Sequence, residues 1–283
     1  MNTPKAKDYK SGVKPIWCPG CGDYAVLNAL MRAFAELNLP PEDIVVASGI
    51  GCSSRFPAFL NTYGFHGVHG RPLPLATGIK LSNPAKTVVA VGGDGDGFSI
   101  GGGHIPHAAR RNIEIPYIVM DNSIYGMTKG QPSPTSPEGT HRKASPYGTL
   151  EAPLNPIMMA LAYQATFVAR AFSGALKEMV EIFKAALQHP GFAFVQVLSP
   201  CVSFMDTYQH YREITAPLPA DHDPTDLMAA MHLSQSEKPL YLGIFRRTEK
   251  RQGYSQGLQE LQVRAEEQMP ALTMFDVLDS YEP

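Results

Sequence analysis

Four short, mainly apolar runs constrain this chain more than any other feature: residues 44–48, 87–91, 115–120 and 192–198. They do not alternate regularly with polar residues, so each reads as a strand covered on both faces. Each also ends in small or chemically active residues: Gly49-Ile50-Gly51-Cys52, Gly92-Gly93-Asp94-Gly95, Asp121-Asn122 and Ser199-Pro200-Cys201. A helix is expected over 99–111, between the second run and the third. Strand, helix and strand in that order make a right-handed crossover between parallel strands. A further helix is expected over 24–37, where Ala25, Leu27, Leu30, Phe34 and Leu37 recur at near-helical spacing before Pro40-Pro41. Another is expected over 175–188, with Leu176, Met179, Val180, Phe183 and Leu187 on one face. A strand is expected at 165–169. The expected fold class is α/β, an open, mostly parallel sheet with helices on both faces. Such sheets bind ligands in the loops at the carboxyl ends of their strands, where all four clusters fall.

Composition narrows the function classes. With 283 residues and 44% hydrophobic content the chain can bury a substantial core, and a formal charge of −2 gives no reason to expect nucleic acid. No run approaches the roughly 18 apolar residues of a membrane span. Lys5, Lys7, Lys10 and Lys14 near the start have no apolar stretch behind them, so no secretory signal is read and a cytoplasmic location is expected. Residues 130–156 hold six prolines and few large apolar residues, and a loop this long is usually functional or disordered. From about residue 206 the chain is polar and weakly periodic. Residues 1–210 are expected to form the ligand-binding α/β domain, and 211–283 a C-terminal extension packing on the core or on a partner subunit.

Gly93-Asp94-Gly95-Asp96-Gly97 follows the second strand. Glycines let backbone amides approach a phosphate, and Asp supplies a hard oxygen for a divalent cation. The dinucleotide fingerprint needs Gly where this chain has Phe98, and the calcium EF-hand loop needs Asp or Asn there. A Gly-rich turn with incidental acids is the plain alternative, and Asn122 argues against it. It lies 28 residues after Asp94, directly behind the next strand, and one helical crossover brings the two side by side. A carboxylate and an amide oxygen, with diphosphate oxygens and a water, suit octahedral magnesium.

The chain has four cysteines: Cys18, Cys21, Cys52 and Cys201. Zinc ribbons pair two Cys-x-x-Cys units, and only Cys18-Pro19-Gly20-Cys21 is present. Thiolates drawn from three distant segments suit a 4Fe–4S cluster. A structural zinc site, a dithiol and buried free cysteines remain open on spacing alone. His104 and His107 share a helix face and read as structural or surface residues. Lys177, Glu178, Glu181 and Lys184 read as a solvated face.

Gly93-Asp94-Gly95 followed by Asn122 resembles the fingerprint of thiamine diphosphate enzymes. More specifically, seven ordered motifs resemble the β subunit of 2-oxoacid:ferredoxin oxidoreductases, closest to the 2-oxoglutarate type. Four lie in the first half of the resemblance: Trp17-Cys18-Pro19-Gly20-Cys21-Gly22, Gly49-Ile50-Gly51-Cys52-Ser53, His66-Gly67-Val68-His69-Gly70-Arg71 and Gly92-Gly93-Asp94-Gly95-Asp96. The others are Arg110-Arg111-Asn112, Tyr125-Gly126-Met127-Thr128-Lys129-Gly130-Gln131 and Ser199-Pro200-Cys201. The resemblance runs from about residue 17 to 211. It implies a thiamine diphosphate-binding fold of the pyrophosphate type, with Mg2+ held by Asp94, Asn122 and the Ile124 carbonyl. It implies one 4Fe–4S cluster on Cys18, Cys21, Cys52 and Cys201. Ile50, Gly51, Cys52, Ser53, His69, Gly93, Gly95, Asp96, Gly126 and Met127 match cofactor-lining positions, and Arg55 and Lys129 match substrate or coenzyme A contacts.

The activity this resemblance implies is oxidative decarboxylation of a 2-oxo acid, best matched by 2-oxoglutarate, with coenzyme A as acyl acceptor and ferredoxin as electron acceptor. No Glu falls in any matched motif. The resemblance implies that the Glu activating the aminopyrimidine comes from an α subunit, in an α2β2 assembly. Two other readings stay open: a non-redox thiamine decarboxylase or synthase subunit, and an iron–sulfur electron carrier or scaffold with a vestigial pocket.

Overall fold

The structure, a computed structural model, describes residues 4–268 and 273–281. Its strands are β1 (Ile44–Ser48), β2 (Tyr63–His66), β3 (Thr87–Gly93), β4 (Pro116–Asp121), β5 (Ile124–Tyr125), β6 (Gln131–Pro132), β7 (Phe167–Phe172), β8 (Ala193–Leu198), β9 (Thr215–Pro217) and β10 (Leu240–Arg247). The helices of the first half are α1 (Asp23–Glu36), α2 (Phe56–Phe59), α3 (Pro72–Ser82), α4 (Asp94–Phe98) and α5 (Ile105–Arg111). Those of the second half are α6 (Pro156–Ala162), α7 (Leu176–Leu187), α8 (Tyr208–Ile214), α9 (Leu227–Ser234), α10 (Tyr254–Gln268) and α11 (Met274–Asp279).

Eight strands form one sheet in the order β2-β1-β3-β4-β8-β7-β10-β9, and β5 and β6 form a separate two-stranded ribbon. Within the eight-stranded sheet only the β10–β7 pair is antiparallel. Period-two alternation divides the strand side chains between two cores. Val89, Val91, Ile118 and Met120 pack with α1 and α7, while Val88, Ala90, Tyr117 and Val119 pack with α3, α5 and α6. The α/β architecture with helices on both faces therefore stands. Among the described residues no helix is long and apolar enough to cross a membrane.

Two boundaries differ from the sequence expectation. The helix expected over 99–111 begins only at Ile105, after a break at Ser99 (ψ −109°) and a single 3-10 turn, Gly102–His104. Three consecutive glycines, at about 1 kcal/mol each in a helix interior, and Pro106, which a helix accepts only in its first turn, make that start the favourable one. The strand expected at 165–169 lies at Phe167–Phe172 and runs through a buried Arg170. Arg170 is tolerated because its Nε donates to Gln196 Oε1 at 2.8 Å and its Nη1 to Tyr241 O at 3.2 Å. The C-terminal extension adds β9 and β10 to the main sheet.

Asn112 fastens that extension to the sheet. It ends α5 with φ 54°, a left-handed conformation that Asn tolerates. Its Nδ2 donates to the carbonyls of Arg251 and Gln252, and its Oδ1 accepts from Phe192 N and Thr166 Oγ1. The Thr166 proton is therefore committed to Asn112, so His189 Nε2, 2.8 Å from Thr166 Oγ1, must carry the proton of that contact. His189 Nδ1 is left buried without a partner. Burial, with the nearby Arg247 charge adding to it, pushes the imidazole down to about 4. A histidine with a depressed folded pKa stabilises the fold above its unfolded value near 6.5, and that stability is lost as pH falls through 4. Urea titrations between pH 7 and pH 4 should therefore show a loss of about 3 kcal/mol traceable to this residue. His189→Gln should flatten the slope, and an unchanged slope would refute the assignment.

Candidate active site

The parallel register brings the carboxyl ends of β1, β3, β4 and β8 together, with Ser48 beside Val91, Gly93 beside Met120 and Asp121 beside Leu198. A cavity of about 460 Å3 opens above them. Ile50, Gly51, Cys52 and Ser53 enter its wall from the loop after β1, and His69 from the loop after β2. Gly93, Asp94, Gly95 and Asp96 form the turn from β3 into α4. Asn122, Ile124, Gly126 and Met127 follow β4. All the residues matched as cofactor-lining or magnesium-binding thus surround one cavity. Lys129 and Arg55 do not line it: Lys129 stands two residues beyond Met127, and Arg55 lies close enough to Cys52 for its charge to favour the thiolate.

Asp96 organises the near wall. Its Oδ1 accepts from Ile50 N at 2.8 Å and Gly70 N at 2.7 Å, and His69 Nδ1 stands 2.9 Å away. One buried carboxylate thereby pins two loops, and burial pushes it up while those N–H donors oppose the rise. A Cβ on Gly49 would collide with this carboxylate, so the sharp exit from β1 requires glycine. Across the cavity the Tyr125 hydroxyl donates to Gly95 O at 3.1 Å, and its ring fills the space a Gly95 side chain would need.

Asp94 is 2% exposed, and among the described residues it has no cationic side chain in contact. Burial, and the charge of Asp121 next to it, push its carboxyl upward, while hydroxyls and the Asn122 N–H resist. Its donors are Ser133 Oγ and, at 2.9 Å, Thr135 Oγ1, both from the Pro-rich loop. Sequence reasoning missed these two hydroxyls, as it missed Tyr125, Thr128 and Gln131 in the cavity wall. A buried carboxylate, an amide oxygen and a carbonyl at one cavity edge, with no basic side chain to neutralise them, fit a small hard dication.

The cysteines come from three separate segments near the same strand ends. Trp17 Nε1 donates to Cys52 O at 2.7 Å, and Gly22 N donates to Pro200 O at 3.2 Å, which ties the Cys18–Cys21 turn to both other cysteine loops. A Cβ on Gly126 would lie 3.6 Å from Cys201 Sγ and 3.9 Å from Cys52 Sγ. All four thiols are free. Burial and the Asp23 charge push Cys52 up to about 11 and raise Cys21 further. Among the described residues no three His, Cys, Asp or Glu side chains close around a single ion. The thiols lie near enough to act on one another: Cys52 and Cys201 both raise Cys21, and Cys18 and Cys201 both raise Cys52.

Fold and cavity together define a thiamine diphosphate-binding domain: residues 49–197 match the model of the thiamine pyrophosphate enzyme C-terminal TPP-binding domain. Residues 201–263 match the C-terminal model of the pyruvate ferredoxin oxidoreductase β subunit. The 2-oxoglutarate oxidoreductase subunit KorB of Mycobacterium tuberculosis is 50% identical over 202 residues, covering 71% of this chain and 54% of that protein. The 2-oxoacid:ferredoxin oxidoreductase 1 β subunit of Aeropyrum pernix is 48% identical over 71% of this chain and 63% of its own length. The chain thus matches between about half and two thirds of the length of these two relatives. The 2-oxoglutarate synthase subunit KorB of Methanocaldococcus jannaschii is 44% identical, over 70% of this chain and 73% of its own. A solved 2-oxoglutarate:ferredoxin oxidoreductase from Magnetococcus marinus, with 2-oxoglutarate, coenzyme A and succinyl-CoA bound, superposes with a TM-score of 0.95 at 43% identity, covering 100% of this chain and 98% of that one. The chain belongs to the 2-oxoacid:ferredoxin oxidoreductase β-subunit family.

The Asp96 anchor makes a testable demand. Asp96→Ala removes the shared acceptor of Ile50 and Gly70, so amide exchange should accelerate together in residues 49–53 and 67–71. Thiamine diphosphate affinity should fall about tenfold or more, since each lost charge-assisted bond is worth about 1.5–3 kcal/mol. Unchanged exchange in either loop would show that Asp96 does not hold it.

Proposed function

We propose that this chain is the cofactor-holding β subunit of a 2-oxoglutarate:ferredoxin oxidoreductase, converting 2-oxoglutarate and coenzyme A to succinyl-CoA and CO2 with an α subunit and a ferredoxin. The observation that carries this reading is the shared wall: Cys52 lines the cofactor cavity, and Gly126, also in that wall, is flanked by the Cys52 and Cys201 thiols. A non-redox decarboxylase has no need of thiols there. Four free cysteines fit a cytoplasmic enzyme, where thiols stay reduced.

When bound, thiamine diphosphate would supply the nucleophile and electron sink that decarboxylation needs, and a 4Fe–4S cluster would supply one-electron redox chemistry. Asp94, Asn122 and the Ile124 carbonyl would hold a Mg2+ that would supply the positive charge a diphosphate needs. Cys18, Cys21, Cys52 and Cys201 would hold the cluster, exchanging their protons for iron. His69, with Nδ1 2.9 Å from Asp96 Oδ1, puts an imidazole in the cavity wall. Ile50 and Met127 stay partly exposed at the mouth, an apolar surface for the cofactor or the α subunit to cover. The Glu that activates the aminopyrimidine would come from the α subunit, in an α2β2 assembly. Lys129 and Arg55, at the periphery, are the candidates for reading the distal carboxylate of 2-oxoglutarate or the coenzyme A phosphates.

Two outcomes test this reading. Anaerobically purified complex should carry about four iron and matching acid-labile sulfide per β chain, and Cys201→Ser should degrade the cluster while leaving Mg2+-dependent cofactor binding in place. Stoichiometric zinc without sulfide would refute it. The complex should reduce ferredoxin with 2-oxoglutarate faster than with pyruvate, Lys129→Ala should narrow that preference, and the β chain alone should be inactive. Activity from β alone, or from pyruvate in preference, would overturn the subunit or substrate assignment respectively.

A further inference from the structure

The Pro-rich loop lies against the metal end of the cavity. Ser133 and Thr135, 9% and 8% exposed, both donate to the same oxygen, Asp94 Oδ2. The loop is braced where it does so: Ser133 N donates to Ser136 Oγ at 2.8 Å, and Ser136 Oγ donates to Ser123 O at 2.6 Å. Thr135 Oγ1 is also 2.7 Å from Asp121 Oδ1. A threonine hydroxyl has one proton, so it serves one carboxylate at a time. Ser133 is the donor that keeps Asp94 Oδ2 satisfied whichever way Thr135 turns. Asp121 is itself fixed, because Gln196 Nε2 donates to its Oδ2 at 2.7 Å and Arg170 Nε holds Gln196.

A carboxylate can bind a cation through one oxygen or both. Ca2+ accepts six to eight ligands and takes bidentate carboxylates readily, whereas Mg2+ demands near-octahedral geometry. We propose that Ser133 and Thr135 are positioning residues that close Asp94 Oδ2 to metal, making Asp94 a one-oxygen ligand and the site selective for Mg2+ over Ca2+. The proposal rests on Asp94 being a metal ligand, as the proposed function has it. The hydroxyls act through Asp94, and the Asp121–Gln196–Arg170 chain keeps Thr135 within reach of it.

The test is thiamine diphosphate binding by calorimetry to the full chain in its anaerobic complex with α, with Mg2+ or Ca2+ as sole divalent ion. The visible spectrum of the cluster serves as the integrity control. Ser133→Ala/Thr135→Val should weaken Mg2+-supported binding about 10–100-fold, the usual effect of removing a group that orients a ligand. Ca2+-supported binding should fall by a much smaller factor, so the preference shifts toward Ca2+. Thr135→Ser, which keeps the hydroxyl, should retain the parent preference. If the double variant loses the cluster spectrum, Ser133→Ala alone should still shift the ratio in the same direction. Equal losses with both ions, or no change with either, would overturn the proposal. Parent complex that binds thiamine diphosphate without any divalent ion would overturn the metal-site reading beneath it, a result distinguishable from failure of the selectivity alone.

Discussion

Two carboxylates buried side by side at the ends of adjacent parallel strands are the constraint around which this molecule is arranged. The register of β3 against β4 puts Gly93 beside Met120, which leaves Asp94, the first residue of α4, and Asp121, the last of β4, as the next residues in each chain segment. Both are 2% exposed, and burial raises both. Charge in that position is costly unless it is hydrogen-bonded or met by a cation. Asp121 has such an answer within the chain, through Gln196 to Arg170, whose guanidinium burial lowers only to about 10 and so leaves charged at neutral pH. Asp94 has hydroxyls but, among the described residues, no cation in contact, and of the two it is the one in the wall of the cofactor cavity.

The same logic of shared acceptors builds the rest of the cavity. Asp96 joins the loops after β1 and β2, just as Asn112 joins α5, β7, β8 and the C-terminal segment. A single buried acceptor satisfying several backbone donors fixes loop geometry more tightly than contacts along one segment can. The loop after β1 passes from the Asp96 anchor at Ile50 to Cys52 within three residues, so one turn carries both a pinned backbone amide and a thiol in the cavity wall.

The surface left over is informative about assembly. Tyr63, Phe65 and Val68 are exposed along and beyond the edge strand β2, and Ile50 and Met127 at the cavity mouth. An edge strand carrying large exposed side chains is an unusual arrangement for a chain acting alone, and it agrees with the subunit role proposed for this family member.

Much of the fold was legible in local sequence. The buried parallel strands declared themselves as short apolar runs, and β1 and the helices α1 and α7 fall within a residue or two of where periodicity puts them. The cavity residues were legible because turn glycines, Asp94 and Asn122 sit at strand ends, where topology alone brings them together. Tertiary structure decided what local pattern could not carry. Strand β2 is exposed at every residue and only four residues long; pairing with β1 makes it a strand. Strand β10 is mostly half-buried, and its place beside β7 depends on hydrogen bonds to a partner far away in sequence. Arg170 reads as a strand-ender until Gln196 is set beside it. Ser133 and Thr135 read as ordinary loop residues, yet they reach Asp94 across 39 and 41 positions of chain. Periodicity and turn chemistry act over a few residues, so they specify elements and strand ends. Which polar side chain satisfies a buried charge is settled only when distant segments pack, because burial itself creates the demand.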